Sequence, residues 1–349
     1  MTKKFSDIFY KFCGIAILLA SFIGGWVLMD YRQFVSDPLP IAEPGYRHVI
    51  APGTSLKRFA DDLHRAGILP HPLYLRWLAR WEGKSQSIQA GEYLFAPAIT
   101  PRQLLEQAAS GAVMQHSLTV VEGWTFAQLL EALRQNEIIE QTLNGLDDAQ
   151  IMARLGHPDQ HPEGRFLPDT YHFPRGTSDV AFLQRAYQTL ETRLDEEWRQ
   201  RDPGLPYRTS YEALIMASII EKETALPEER AEIAGVFVRR LAKGMRLQTD
   251  PTVIYGLGSR FDGNLKRRDL ASDSPYNTYM HAGLPPTPIA LPGLASIHAA
   301  LHPAPGNALY FVSRGDGSHE FSATLEAHNK AVRRYQINGN RSRAKGAEK

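Results

Sequence analysis

The stretch Thr209–Thr224, TSYEALIMASIIEKET, constrains the fold more than any other. Thr209 and Glu212 match the Thr-x-x-Glu capping box that marks a helix start. Ala213, Leu214, Ile215, Met216, Ala217, Ile219 and Ile220 then cover nearly every side. A helix that is apolar all round lies inside a domain, so other elements must pack on all its faces. It ends in two glutamates, and ionised carboxylates are costly there unless paired or at work. Each residue turns the helix by about 100°, so Glu221 and Glu223 point roughly 200° apart and cannot act as a pair. Glu221 shares its face with Leu214, Ala217 and Ser218, two of them small. Glu223 lies over the bulkier Met216 and Ile219. This favours Glu221 as the carboxylate facing a cleft. The alternative leaves both glutamates in solvent at a helix end, the usual place for glutamate.

A second apolar run, Phe12–Met29, is uncharged and just long enough to cross a bilayer. Lys3, Lys4 and Lys11 precede it, which keeps the N-terminus cytoplasmic and sends the rest of the chain outside. No small-x-small site follows the run, so it reads as an uncleaved anchor and not as a signal peptide. Cys13 is the only cysteine, which excludes an intrachain disulfide. The formal net charge of +1 argues against a nucleic-acid-binding protein, since such domains are usually strongly basic.

The expected class is α+β. Residues 1–11 form a cytoplasmic tail, 12–29 the membrane helix, and 30–46 an extended Pro-rich linker with Pro38, Pro40 and Pro44. Within 47–117, two short strands (His48–Ile50 and Gln89–Phe95) flank two helices, and a third helix ends at Gly111. This arrangement resembles a LysM-type carbohydrate-binding module; a structural arm without a ligand fits the same pattern. Residues 118–204 form a connecting region with a strand at Leu118–Val121 and a long amphipathic helix at Val180–Arg199. Residues 205–338 form a mostly helical domain with a small hairpin, Ala308–Ser313 with His319–Ser322. Residues 339–349 are a basic, disordered tail.

No G-x-S-x-G, H-E-x-x-H, Walker motif or paired CxxC occurs. His298 and His302 stand four apart at a helix end, but no acidic residue is near them in sequence, so no metal and no cofactor is expected. The segments after the central helix are rich in Gln, Thr, Asn and Tyr, which suits a polyhydroxylated, amide-bearing ligand. One acid beside a sugar groove suggests cleavage of a glycosidic bond. An ordinary glycosidase needs a second carboxylate, whereas a substrate that supplies its own nucleophile removes that need.

Ala217–Thr224, Leu247–Gly256, Tyr276-Asn277-Thr278-Tyr279 and Gly283-Leu284-Pro285-Pro286 look like successive motifs of the endolytic murein transglycosylases, the YceG-like family. Glu163–Tyr171 resembles that family's upstream motif, with Arg165 where an apolar or aromatic residue is more usual. The resemblance implies a lyase acting on peptidoglycan glycan strands at the bond from N-acetylmuramic acid to N-acetylglucosamine. Glu221 would protonate the glycosidic oxygen and then take the proton of the muramyl C6 hydroxyl, leaving 1,6-anhydro ends. Ser218, Gln248, Thr249, Tyr276, Asn277 and Tyr279 are the expected sugar-orienting residues. The resemblance also implies a terminator of glycan elongation in the bacterial inner membrane, periplasmic in its catalytic part, beside membrane-bound peptidoglycan synthases. The competing class is a non-catalytic, membrane-tethered wall-binding scaffold.

Overall fold

The structure, a computed structural model, describes residues 2–338, with side chains over 11–336. The expected disordered tail, 339–349, lies outside the described residues, as do the side chains of nearly all of the expected cytoplasmic tail. The chain is α+β and divides into two compact units, Met1–His116 with His172–Gly176, and Ser117–Tyr171 with Thr177–Lys349.

The first unit begins with α1 (Thr2–Ser36), whose segment Lys11–Ser36 is the one helix among the described residues long and apolar enough to cross a membrane. Then follow β1 (Tyr46–Ile50), α2 (Leu56–Arg65), α3 (Pro72–Trp81), β2 (Gly91–Phe95) and α4 (Pro101–Ser110). The strands pair antiparallel, Tyr46 opposite Phe95 and Ile50 opposite Gly91. Caps set the helices. Ser55 accepts from the Arg58 amide at the start of α2, and Thr100 with Gln103 completes a capping box on α4. Phe59, Leu63, Leu75, Leu78, Phe95 and Leu104 form the core.

The segment expected as an extended linker, 30–46, is helical to Ser36 and non-helical over 37–45. Helix α1 runs on to Ser36, and Tyr31, Phe34, Val35, Leu39 and Ile41 join that same core. Tyr31, Phe34 and Val35 fall at helical spacing, so one face of the last turns is apolar and packs on α3 and α4. The Leu39 amide donates to the Ile99 carbonyl at 2.8 Å, and the Tyr74 hydroxyl to Asp30 at 2.7 Å. The prolines break the helix without detaching the chain. Glu92, 1% exposed, is buried with basic side chains around it: His116 Nε2 at 2.7 Å, Arg175 Nε at 2.9 Å and Arg47 at 3.6 Å. Burial pushes its carboxyl up, but the bonds from His116 and Arg175 win and hold it below the usual range.

In chain order β3 (His116–Thr119), α5 (Phe126–Arg134), α6 (Asp148–Arg154), β4 (Thr170–Phe173) and α7 (Asp179–Gln200) come next. β3 and β4 form a two-stranded sheet, where the sequence pattern of the second strand suggested only turns and aromatics. After them come α8 (Ser210–Glu223), α9 (Arg230–Ala242), α10 (Asp250–Leu257), α11 (Arg267–Leu270) and α12 (Leu294–Leu301). The hairpin β5 (Tyr310–Ser313) with β6 (His319–Ser322) and the helix α13 (Leu325–Val332) complete the second unit.

Helix α8 is the axis of this unit. Every residue from Ala213 to Ile220 is buried, Ser218 included, against α7, α9, α10 and α12. The Glu212 amide donates to Thr209 Oγ1 at 3.3 Å, so the cap is there. Its return half goes elsewhere, since Glu212 Oε2 accepts from the Arg208 amide at 2.6 Å.

Candidate active site

The two glutamates at the end of α8 do point apart, and they enter different surroundings. Glu221 Oε2 accepts from the Gly293 amide at 3.0 Å and from Ser296 Oγ at 2.7 Å. Both donors belong to the first turn of α12, so Glu221 braces a helix N-terminus, where negative charge is favourable. A second carboxylate stands close by. Burial and then the charge of Glu221 push Glu122 up, while Arg230, 3.9 Å away, pulls it down.

Glu223 reaches into a cleft of about 450 Å³ lined by Arg240, Leu247, Gln248, Asp250 and Tyr279 and walled by Tyr310–Ser313, His319 and α13. Thr249 Oγ1 donates to Glu223 Oε1. Among the described residues Oε2 has no protein partner. Burial raises the carboxyl above its ordinary range, the Thr249 bond lowers it, and the neighbouring Asp250 adds to the rise. The turn that brings these groups in is strained. Gln248 has φ +54, one of two non-glycine residues in the left-handed region among those described. Its backbone is held by the Thr278 carbonyl at 3.2 Å, and buried Arg240 ties down the Leu247 carbonyl at 2.7 Å. Tyr279 donates to Asp250 at 2.6 Å.

The predicted set is therefore divided. Gln248, Thr249 and Tyr279 gather about Glu223, whereas Glu221 faces another way. Ser218, Tyr276 and Asn277 have internal partners. Ser218 Oγ donates to the Ile215 carbonyl at 2.7 Å and accepts from the Ile289 amide at 3.0 Å. Asn277, fully buried, donates to the Ser272 carbonyl at 2.7 Å and the Leu270 carbonyl at 3.1 Å, and accepts from the Tyr279 amide at 3.0 Å. It shapes the loop that carries Tyr279. The Tyr276 hydroxyl pairs with Thr287 at 2.9 Å. The side-chain polar atoms of these three are engaged inside the protein. Arg240, Asp250, Tyr310 and His319 were not anticipated; the motif Thr249-Asp250-Pro251 offered a signal for Asp250 alone.

Glu163 is a further buried carboxyl, raised to about 7 by burial against the bonds from Phe126 and Tyr255. It lines a hollow of about 830 Å³. Both its oxygens are already taken, Oε1 by the Phe126 amide at 2.9 Å and Oε2 by the Tyr255 hydroxyl at 3.0 Å. Gly164 beside it has φ +77, and a Cβ there would lie 2.4 Å from Pro288, so this corner admits only glycine.

One partly shielded carboxyl, with a free oxygen toward a polar cleft at the end of a buried helix, makes a candidate acid–base site in an α+β chain that carries an apolar N-terminal helix. Residues 48–334 match the YceG-like family, and the chain belongs to it. The chain is similar to the endolytic murein transglycosylase of Bacillus subtilis (strain 168), 33% identical over 308 residues, which are 82% of this chain and 83% of that protein. It is also similar to the endolytic murein transglycosylase of Streptococcus pneumoniae, 26% identical over 348 residues, with 88% of this chain covered but only 62% of that longer protein. The crystal structure of a YceG-like protein from Listeria monocytogenes aligns with a TM-score of 0.53 at 29% identity, over 83% of this chain and 99% of that one.

Proposed function

We propose that this chain is a peptidoglycan lytic transglycosylase in which Glu223, not Glu221, is the acid and base. The observation that carries the reading is Glu223 itself: a burial-raised carboxyl with one oxygen open to a polar cleft. A general acid must be able to hold its proton, and burial shifts Glu223 in that direction. Glu223 protonates the glycosidic oxygen between N-acetylmuramic acid and N-acetylglucosamine as the bond to C1 breaks. The carboxylate so formed takes the proton from the muramyl C6 hydroxyl, which closes on C1. The product end is a 1,6-anhydro sugar, no water is consumed, and Glu223 regains its proton. Thr249 steadies the carboxylate through Oε1. Gln248 and Tyr279 orient the sugar, and Arg240 holds the turn that carries Gln248. Glu221 is a positioning residue that fixes α12.

In this reading α1 crosses the inner membrane once, with the catalytic unit in the periplasm. The first unit binds glycan in the manner of a LysM module, and the enzyme ends strands as membrane-bound synthases extend them. Support comes from the apolar helix, the strand–helix–helix–strand order of the first unit and the family.

The test is to incubate wild type, Glu223→Gln and Glu221→Gln with purified glycan strands and quantify anhydro-muramyl ends by mass spectrometry. Glu223→Gln should lose about 10²–10⁴-fold in rate, the usual worth of a general acid–base group. Glu221→Gln should stay within about tenfold of wild type, equivalent to ~1.4 kcal/mol of lost bracing. The opposite order would return the role to Glu221. Strands bound but left uncut by the wild type would favour a wall-binding scaffold.

A further inference from the structure

Helix α12 carries His298 and His302 four residues apart and therefore on one face. Sequence neighbours offer them no acid, but the fold does. Glu197, on the last turn of α7, places Oε2 2.8 Å from His298 Nδ1 and 3.9 Å from His302 Nε2. The two rings lie 4.3 Å apart, centre to centre, and one ligand atom from each of the three residues falls within 4.8 Å of the others. Just past α7, Asp202 Oδ1 stands 3.0 Å from His302 Nδ1. With Asp202 at His302 Nδ1, the opposite ring nitrogen, Nε2, is left on the side of Glu197. The group opens on a hollow of about 480 Å³ shared with Pro227, Leu294 and Arg230.

We propose that Glu197, His298 and His302 form a site for a borderline divalent cation of the zinc type, with Asp202 orienting His302 and water in the fourth position. Two imidazoles and one carboxylate are the donors such ions take, and the open fourth position suits an exchangeable ion. His298 is 60% exposed at its side chain, so the ion has a path in from solvent. Bound there, it would clip the end of α12 to α7. The opposite end of α12 is the one Glu221 braces, so both ends of this helix would be anchored by charge.

The test uses the tag-free full-length protein in detergent, stripped with chelator, then titrated with Zn²⁺ in a calorimeter and with Co²⁺ in an absorption spectrometer. One equivalent of Zn²⁺ per chain is expected, together with Co²⁺ bands of tetrahedral intensity that Zn²⁺ displaces. His298→Ala should abolish the stoichiometric step, and Asp202→Asn should weaken it by about 10–100-fold, the usual effect of a partner that orients a ligand. Metal-free melting temperatures, unchanged in the variants, would show that they fold. Absence of binding in the wild type, or equal binding by wild type and His298→Ala, would overturn the proposal.

Discussion

A carboxyl acts as an acid only through what surrounds it, and Glu223 is poised by two opposed effects. Burial raises it and the Thr249 hydroxyl restrains it. Thr249→Val removes the restraint without changing the side chain's shape, so the alkaline limb of the pH–rate profile should move to higher pH. A limb that stays in place or moves to lower pH would show that Thr249 does not tune the acid. Glu163 makes a different prediction. Its folded value, about 7, exceeds its unfolded value, 4.5. The stability tied to this group is therefore fully present below 4.5 and is lost as pH rises through 7. At ~1.4 kcal/mol per unit the loss is on the order of 3 kcal/mol. Glu163→Gln keeps an oxygen for the Phe126 amide and cannot ionise, so it should remove most of the stability difference between pH 5 and pH 8 in denaturant titrations. An unchanged pH slope would argue against that burial.

At the scale of elements, much was legible because it depends on local pattern. The capping residue Thr209 and the apolar run gave α8 to within a residue at each end. The choice between Glu221 and Glu223 was not legible by that route. Small neighbours on the same helix suggested room beside Glu221. The cleft is instead made by the turn at Gln248–Thr249 and by β5 and β6, which no helical spacing encodes. The acid beside His298 came from 101 residues away for the same reason. The prolines after α1 suggested an extended linker, because a Pro-rich stretch speaks of backbone stiffness and not of what its apolar side chains cover. A soluble form beginning at Asp30 keeps Tyr31, Phe34, Val35, Leu39 and Ile41, whereas one beginning at Tyr46 loses all five from the first unit's core. Each is worth about 1.5–3 kcal/mol when buried. The shorter form should melt well below the longer one, or fail to fold its first unit. Equal melting temperatures would mean that those contacts are not formed in solution.

For the whole molecule, the glycan-binding role proposed for the first unit implies that binding and cutting are separable. Linking a weak glycan binder to the catalytic unit raises the local concentration of strands without a new catalytic contact. Residues from Leu118 onward should therefore cut isolated strands more slowly than the form beginning at Asp30 when substrate is scarce, and at a similar rate when it saturates. Equal rates at both concentrations would leave the first unit as a positioning element. The unbroken run of α1 into that unit also sets a distance. At about 1.5 Å per residue, the seven residues Asp30–Ser36 rise only ~10 Å past the apolar span. With α1 across the bilayer, a helix of that length with no hinge works as a short stiff mast and not as a leash. The first unit would ride at the depth of the lipid headgroups, with Trp81 exposed beside Tyr31 at the waterline. It could turn about its axis but could not climb, and the strands within its reach would be those just leaving the membrane surface.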